Sequence, residues 1–367
     1  MPYTQFDRSK LIIKSLEQRP NKLAIENDHV KPDQIPTPLS APAMGLMKET
    51  VTRIRTARQA GKPVVMAFGA HTIKNGLSPV LIKLITEGWV THLATNGAGI
   101  IHDWEFAYLG QSSEDVKTNV AHGEFGIWQE TGFYINLAII IGAYEGLGYG
   151  EAVGKMIETE GLTIPTQESL LEEIHKPGVG EDRIAAAADL LGTIRKFKLK
   201  PGRMSISHPF KSYSAQAAAY RLGIPFTGHP MIGHDIIYNH PMNHGAAIGR
   251  SALRDFMSFT HSISQIQGGV YLSVGSAVMS PMIFEKALSM SQNLALQAGH
   301  SINQHFIVVV DLAESTWDWQ KNGEPPKDNP AYYLRYCKTF SRMGGEMRYL
   351  QADNRDFLLT LSQMLAI

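Results

Sequence analysis

The sequence predicts an α/β fold with a doubly wound, mostly parallel sheet, and three observations carry that expectation. The apolar run Val64-Val65-Met66-Ala67-Phe68 stops abruptly at Gly69-Ala70-His71. Leu77, Val80, Leu81, Leu84 and Ile85 then recur at the three- and four-residue steps of one helix face, Gly88 ends the segment, and a second apolar run, 90–94, breaks into Thr95-Asn96-Gly97-Ala98-Gly99. The same alternation resumes near Met204. Strand, glycine turn, helix, strand, glycine turn is a βαβ unit of a parallel sheet. Ligands of such sheets sit at the carboxyl ends of the strands, which places a cleft beside both glycine turns.

Taken in order, residues 1–43 are polar, with Pro32, Pro36, Pro38 and Pro42 close together. They form an N-terminal arm, packed over the body or a neighbouring subunit, or else a disordered tail. A helix over 44–60 leads into the first strand. Residues 103–200 are mostly helical in pattern, broken at 161–165 and 177–180, and Ile184-Ala185-Ala186-Ala187-Ala188-Asp189-Leu190-Leu191 is a strong helix former. A helix over 212–222 precedes a strand at 224–227, with a further extended piece at 232–238. A helix at 246–266 leads to Val270-Tyr271-Leu272-Ser273-Val274, which ends at Gly275-Ser276-Ala277. A helix over 281–298, a strand at 305–310 ending in Asp311, a long polar loop at 314–329, a helix at 331–343, a strand at 346–350 and a helix from Asn354 close the chain. No repeat or linker divides it, so 44–367 is expected to be one domain with a helical insertion at about 112–200.

Composition narrows the function. Hydrophobic residues at 44% and charged residues at 19% are ordinary for a globular chain of 367 residues. Thirty-four basic residues balance thirty-four acidic ones, which argues against a nucleic-acid partner. The single cysteine, Cys337, excludes an intrachain disulfide and fits a reducing compartment. The N-terminus lacks a basic-then-apolar leader, and the apolar run at 135–143 is shorter than the roughly 20 residues of a membrane span. A cytoplasmic location without membrane partners follows as the expectation.

The glycine turns are the first candidates for chemistry. Gly97-Ala98-Gly99 and Gly275-Ser276 each follow a strand, and small residues there let backbone N–H groups approach a phosphate, although neither turn completes G-x-G-x-x-G and either could simply reverse the chain. Asp311 and Asp353, at the ends of late strands, suit a ribose hydroxyl or a substrate amine equally well. Five of fourteen histidines (His208, His229, His234, His240, His244) crowd one stretch with Asp235. Only His240 and His244 have helical ligand spacing, and Pro241 between them disfavours a regular helix, so no metal site is expected and the cluster is assigned to lining a polar cleft. Asp103 suits capping of a helix N-terminus, which leaves His102 over the cleft as a proton shuttle. Lys338 lies beside an aromatic ring; such a lysine can act as an imine-forming nucleophile, but most lone helix lysines are solvated charges.

The run 69–79, Gly-Ala-His-Thr-Ile-Lys-Asn-Gly-Leu-Ser-Pro, followed by Ala94-Thr95-Asn96-Gly97-Ala98-Gly99, His102-Asp103 and Tyr108-Leu109-Gly110, resembles the first half of the deoxyhypusine synthase family. The resemblance spans most of 62–360. It implies a Rossmann-like sheet, a homotetramer with sites at subunit interfaces, and bound NAD. In that family NAD oxidises the secondary amine of spermidine, a lysine captures the aminobutyl group as an imine, and the group passes to a lysine of a translation factor. The family's Trp-Gly-Lys corresponds to Tyr336-Cys337-Lys338, followed by Tyr349-Leu350-Gln351-Ala352-Asp353, which makes Lys338 the implied nucleophile. The implied cofactor contacts are Gly69, Ala70 and His71 at the first turn, Asn96, Gly97, Ala98, Gly99 and Asp103 at the second, Gly275 and Ser276 at the third, and Ala313, Ala352 and Asp353 after the last strands. Asp235, His234, Asp318 and Tyr336 are the implied substrate contacts, carboxylates at two ends of a slot being what a polyamine's ammonium groups require.

The chain departs from the family at three places. Gly-Val-Glu-Glu-Asp appears as Gly99-Ile100-Ile101-His102-Asp103, so His102 replaces a catalytic carboxylate. Val278-Met279-Ser280 stands where a histidine follows the third glycine turn, and Tyr336 replaces tryptophan. The N-terminal pattern is also similar to NAD-dependent archaeal ornithine cyclodeaminases. The expected activity is aminoalkyl transfer from a polyamine to a protein lysine or a free diamine. A cyclodeaminase acting on ornithine or a related amino acid, and an NAD-binding relative without catalysis, are the alternatives.

Overall fold

Six strands, all parallel, form the central sheet: β1 (Val64–Phe68), β2 (His92–Thr95), β3 (Phe226–Gly228), β4 (Val270–Val274), β5 (Phe306–Asp311) and β6 (Glu346–Gln351). They come from a computed structural model that describes residues 3–366. Their spatial order is β3-β2-β1-β4-β5-β6. The chain winds outward from β1 to β3, returns to the other side of β1, and winds outward again to β6. This is the order of a Rossmann-like doubly wound sheet, whose ligand crevice opens where the winding reverses, here between β1 and β4.

The apolar runs are uninterrupted because both faces of the sheet are covered. Alternate residues feed two cores. Val64, Met66 and Phe68 of β1 join Leu272, Val308 and Leu350 on one face. Val65 and Ala67 join Tyr271, Ile307 and Val309 on the other. Helices α1 (Ala41–Gln59), α2 (Ala70–Lys74), α3 (Ser78–Thr86), α4 (Gly97–Leu109), α5 (Gln129–Glu145), α6 (Tyr149–Thr159), α7 (Gln167–His175), α8 (Glu181–Phe197), α9 (Ala215–Leu222), α10 (Gly245–Ser264), α11 (Met279–Gln297), α12 (Arg335–Ser341) and α13 (Asn354–Leu365) cover the sheet and build the insertion. Among the described residues, no helix is long and apolar enough to cross a membrane.

Two departures from the sequence reading have physical causes. The stretch 232–238 is not extended: Gly233 sits at φ +86°, Ile232 is exposed, and the chain turns into a 3-10 segment at Ile236–Asn239. The arm packs on the body, one of its expected arrangements: Leu23–Ala24 pairs with Gln111–Ser112, Ile25 N–H donates to Gly110 O at 2.9 Å and Val30 N–H to Gly76 O at 2.9 Å. Gly161–Ile164 pairs antiparallel with Gly202–Ser205, where the sequence suggested a break between helices at 161–165 and a return of α/β alternation near Met204.

At the switch point, Gly69 N–H donates to Val274 O at 3.1 Å, and a Cβ on Gly69 would overlap the carbonyl oxygen of Gly275. Backbone cannot yield there. Gly69→Ala is therefore expected to cost about 2–3 kcal/mol, whereas Gly45→Ala, in open space within α1, should add about 0.5–1 kcal/mol. Urea denaturation of the two variants checks the contrast.

Candidate active site

Asn96 begins the site. It follows β2 and caps α4, its Oδ1 accepting from Gly99 N–H at 2.9 Å. Gly97 and Gly99 are demanded by packing inside the chain. A Cβ on Gly97 would overlap the Asp235 carboxylate, and one on Gly99 would overlap Thr95 Oγ1. The Asp235 carboxyl thus lies directly on the first turn of α4. Burial pushes its pKa up to about 7, against one opposing hydrogen bond from Ile237 N–H.

Along α4, Ala98, Ile101, His102 and Glu105 fall on one helical face and line a cavity of about 180 Å³ with Lys74, Asp235 and His234. Glu114 and Arg19 close its far side. Burial holds His102 down to about 4, with Glu105 opposing, so its imidazole is neutral at physiological pH. Lys74 faces the same space and forms no ion pair among the described residues.

Beneath the cavity lies a buried polar network. Arg19 grips Glu105 with two hydrogen bonds of 2.8 and 2.7 Å, and both side chains are almost fully buried. Ser112 Oγ donates to Glu105 at 2.6 Å, Thr131 Oγ1 donates to it at 2.9 Å, and His102 Nδ1 lies 2.7 Å from Ser112 Oγ. Burial alone would raise the Glu105 pKa, but Arg19 and the hydrogen bonds outweigh it and hold the group below its ordinary value. Glu114 is satisfied by Asn119, Gly126 N–H and Trp128 Nε1.

Several assignments from the sequence change here. Asp103 is not available to a cofactor: fully buried, it accepts from Ser214 Oγ at 2.6 Å, Ser78 Oγ at 3.1 Å, Gln216 Nε2 at 3.0 Å, and the N–H groups of Ala215 and Gln216. It does cap a helix N-terminus, but that of α9 and not its own. Asp318 caps the short helix Trp319–Asn322 through Gln320 and Lys321 N–H and does not line the cavity. Of the crowded histidines, only His234 lines the cavity. His208 packs edge-on to Trp104 and Tyr108, His229 shares Thr227 Oγ1 with His92, His240 turns back onto Met242 N–H, and His244 caps α10.

The remaining residues divide between two places. Gly69, Ala70 and His71 leave β1, and Gly275 and Ser276 leave β4, so both sets border the crevice. Ala313, Ala352 and Asp353 lie beyond β5 and β6, Ala313 N–H donating to Asp311 Oδ1 at 3.1 Å and Asp353 capping α13. Lys338 and Tyr336 belong to the β5–β6 crossover, three strand spacings or roughly 14 Å from β2. Lys338 Nζ pairs with Glu324 and lies 4.5 Å from the Tyr332 ring centroid. Tyr336 is half-buried against Tyr349 and Asp311, and burial drives its phenol pKa far upward. Within one chain, neither lines the His102–Asp235 cavity.

Lys74, Glu105, Glu114, Ser112 and Arg19 were missed from sequence. Glu105 was within reach of it, because 98, 101, 102 and 105 share helical spacing. Arg19 had no local signal, its partner being 86 positions away.

No family model and no curated protein sequence matches the chain. Among solved structures it is similar to AgrE in a ternary complex with ornithine and NAD+, at 17% identity and TM-score 0.44, covering 90% of this chain and 34% of that one. It is also similar to a conserved protein of the LOR/SDH type from Methanococcus maripaludis, at 12% identity and TM-score 0.45, covering 92% and 72%. A third likeness is to a protein assigned as a deoxyhypusine synthase from Entamoeba histolytica, at 11% identity and TM-score 0.43, covering 89% and 90%. The chain spans about a third of the length of AgrE.

Removing Arg19 strands a buried carboxylate. Arg19→Met is expected to cost about 3–5 kcal/mol, and adding Glu105→Gln should recover part of that loss. Urea midpoints of the single and double variants measure both.

Proposed function

We propose that the protein is an NAD-dependent enzyme, similar to deoxyhypusine synthases, that transiently oxidises an amine and transfers an aminoalkyl group to a protein lysine or a free diamine. The observation that carries this reading is the position of the cavity. It lies at the carboxyl edge of a sheet wound in dinucleotide-binding order, with an acid poised near neutrality on its wall.

The crevice suits a dinucleotide. The leading N–H groups of α4, at Gly97 and Ala98, have no partner in their own helix, while Asn96 and Ser276, at the exits of β2 and β4, turn their side-chain oxygens to Gly99 N–H and Ser280 N–H. NAD, when bound, supplies a hydride acceptor for the carbon beside the amine nitrogen. Asp235, when ionised, holds the substrate ammonium. Neutral His102 accepts a hydrogen bond from it. Covalent capture falls to Lys338, which must leave Glu324 and meet the cavity of another subunit, as in the homotetramer that the family resemblance implies.

One observation favours a second reading. Lys74 and Asp235 place opposite charges in a single cavity, which matches the carboxylate and ammonium of an α-amino acid better than the two cations of a polyamine. That supports a cyclodeaminase-like enzyme acting on ornithine or a related amino acid.

Borohydride reduction in the presence of NAD+ and amine separates the readings. Aminoalkyl transfer expects mass added at Lys338 with polyamines, abolished by Lys338→Ala. The second reading expects ammonia release from a basic amino acid with no label on Lys338. NAD binding without turnover on any amine would contradict both and leave a cofactor-binding relative without catalysis. Because Asp235 must lose its proton to hold a cation, affinity for an ammonium ligand should fall about tenfold per pH unit below about 7 and level off above it. Asp235→Asn should flatten that profile, as calorimetry across the range would show.

A further inference from the structure

We propose that Ser112 and Glu105 are positioning residues that hold His102 in the Nδ1–H tautomer, so that its bare Nε2 is the hydrogen-bond acceptor it offers the cavity. This rests on the reading above that the cavity takes a cationic amine, but the geometry behind it is independent of ligand.

Counting hydrogens fixes the direction of the chain of bonds. Glu105 has no proton to give, since Arg19 binds it through two N–H groups and Thr131 adds a third donor. The 2.6 Å contact between Ser112 Oγ and Glu105 Oε2 therefore uses the only hydroxyl hydrogen of Ser112. Ser112 has then only lone pairs left for His102 Nδ1 at 2.7 Å, so Nδ1 must carry the hydrogen. In the opposite arrangement Ser112 would donate to Nδ1, and two oxygens would face each other at 2.6 Å with nothing between them. That is the costlier state in a buried site. A neutral imidazole with Nδ1–H has its lone pair on Nε2.

Several charged groups act on this ring. Glu105 favours a proton on it, whereas Lys74, Arg19 and His71 oppose one. Asp235, Glu114 and His234 line the same cavity. Bare Nε2 accepts a hydrogen bond from a substrate ammonium, and no bond is broken. Ser112 and Glu105 thereby fix, one and two links away, which nitrogen of His102 meets the amine.

The test uses the intact ¹⁵N-labelled protein and long-range ¹H–¹⁵N correlation of its histidine rings, with His102 assigned by its loss in His102→Gln. The expected spectrum shows Nδ1 protonated and Nε2 bare. Ser112→Thr should keep that tautomer, and Ser112→Ala should shift it toward Nε2–H. With an active amine and NAD+, Ser112→Ala should lower kcat/KM at least ~10-fold, because an Nε2–H would meet the ammonium where a lone pair is needed. An Nε2–H tautomer in the unsubstituted protein overturns the proposal, as does a Ser112→Thr spectrum that loses the Nδ1–H form. Should Ser112→Ala fail to fold, those two spectra still decide. Failure to bind NAD or any amine would remove the enzymatic reading without altering the tautomer, so the two failures are distinguishable.

Discussion

The site depends on how closely β1 and β4 approach where they leave the sheet. That closeness requires a missing side chain at Gly69, whose Cα faces the carbonyl of Gly275, itself at φ +57°. With the two exits in contact, α2 starts at once beside the crevice and brings Lys74 toward the face of α4. The same economy recurs one strand over, where Gly97 lets Asp235 lie on the first turn of α4. The glycines that looked like a phosphate cradle serve first to bring chain elements together. The crevice is a consequence of that packing.

Close approach buries polar groups, and the fold satisfies them from distant parts of the chain. Asp103 holds the start of α9, Glu105 is held by the N-terminal arm, and Glu114 gathers the loop ahead of α5. Each carboxylate exchanges water for several hydrogen bonds, without which burial would be prohibitive. Arg19 and the strand pair at Ser112 make the arm part of the wall behind the cavity.

The strands were legible because burial on both faces leaves apolar runs without interruption, and their ends were legible from glycines. Ile224 fell outside β3 because Pro225 has no N–H for the ladder, although its carbonyl still accepts from Leu93. Apolar letters misled at Ile232, which is exposed beside a left-handed glycine. His102 was legible as a polar residue just past the second glycine turn and Asp235 through the family resemblance, and the structure brings them into one cavity. Asp103 had the right chemistry assigned to the wrong helix, since a cap supplied across 112 positions leaves no local pattern. Asp318 shows the reverse: an acid before a short helix serves that helix. Crowding of histidines in sequence also said little, because β3, the turn after it and α10 carry them in different directions.

The proposed function places a dinucleotide across the reversal point between β1 and β4, with its reactive end toward the cavity of His102 and Asp235. Diffraction from crystals soaked in NAD+ tests it most directly. Density is expected over the turns at Gly69 and Gly275, reaching the first turn of α4. Density elsewhere on the molecule, or none at millimolar cofactor, would contradict it.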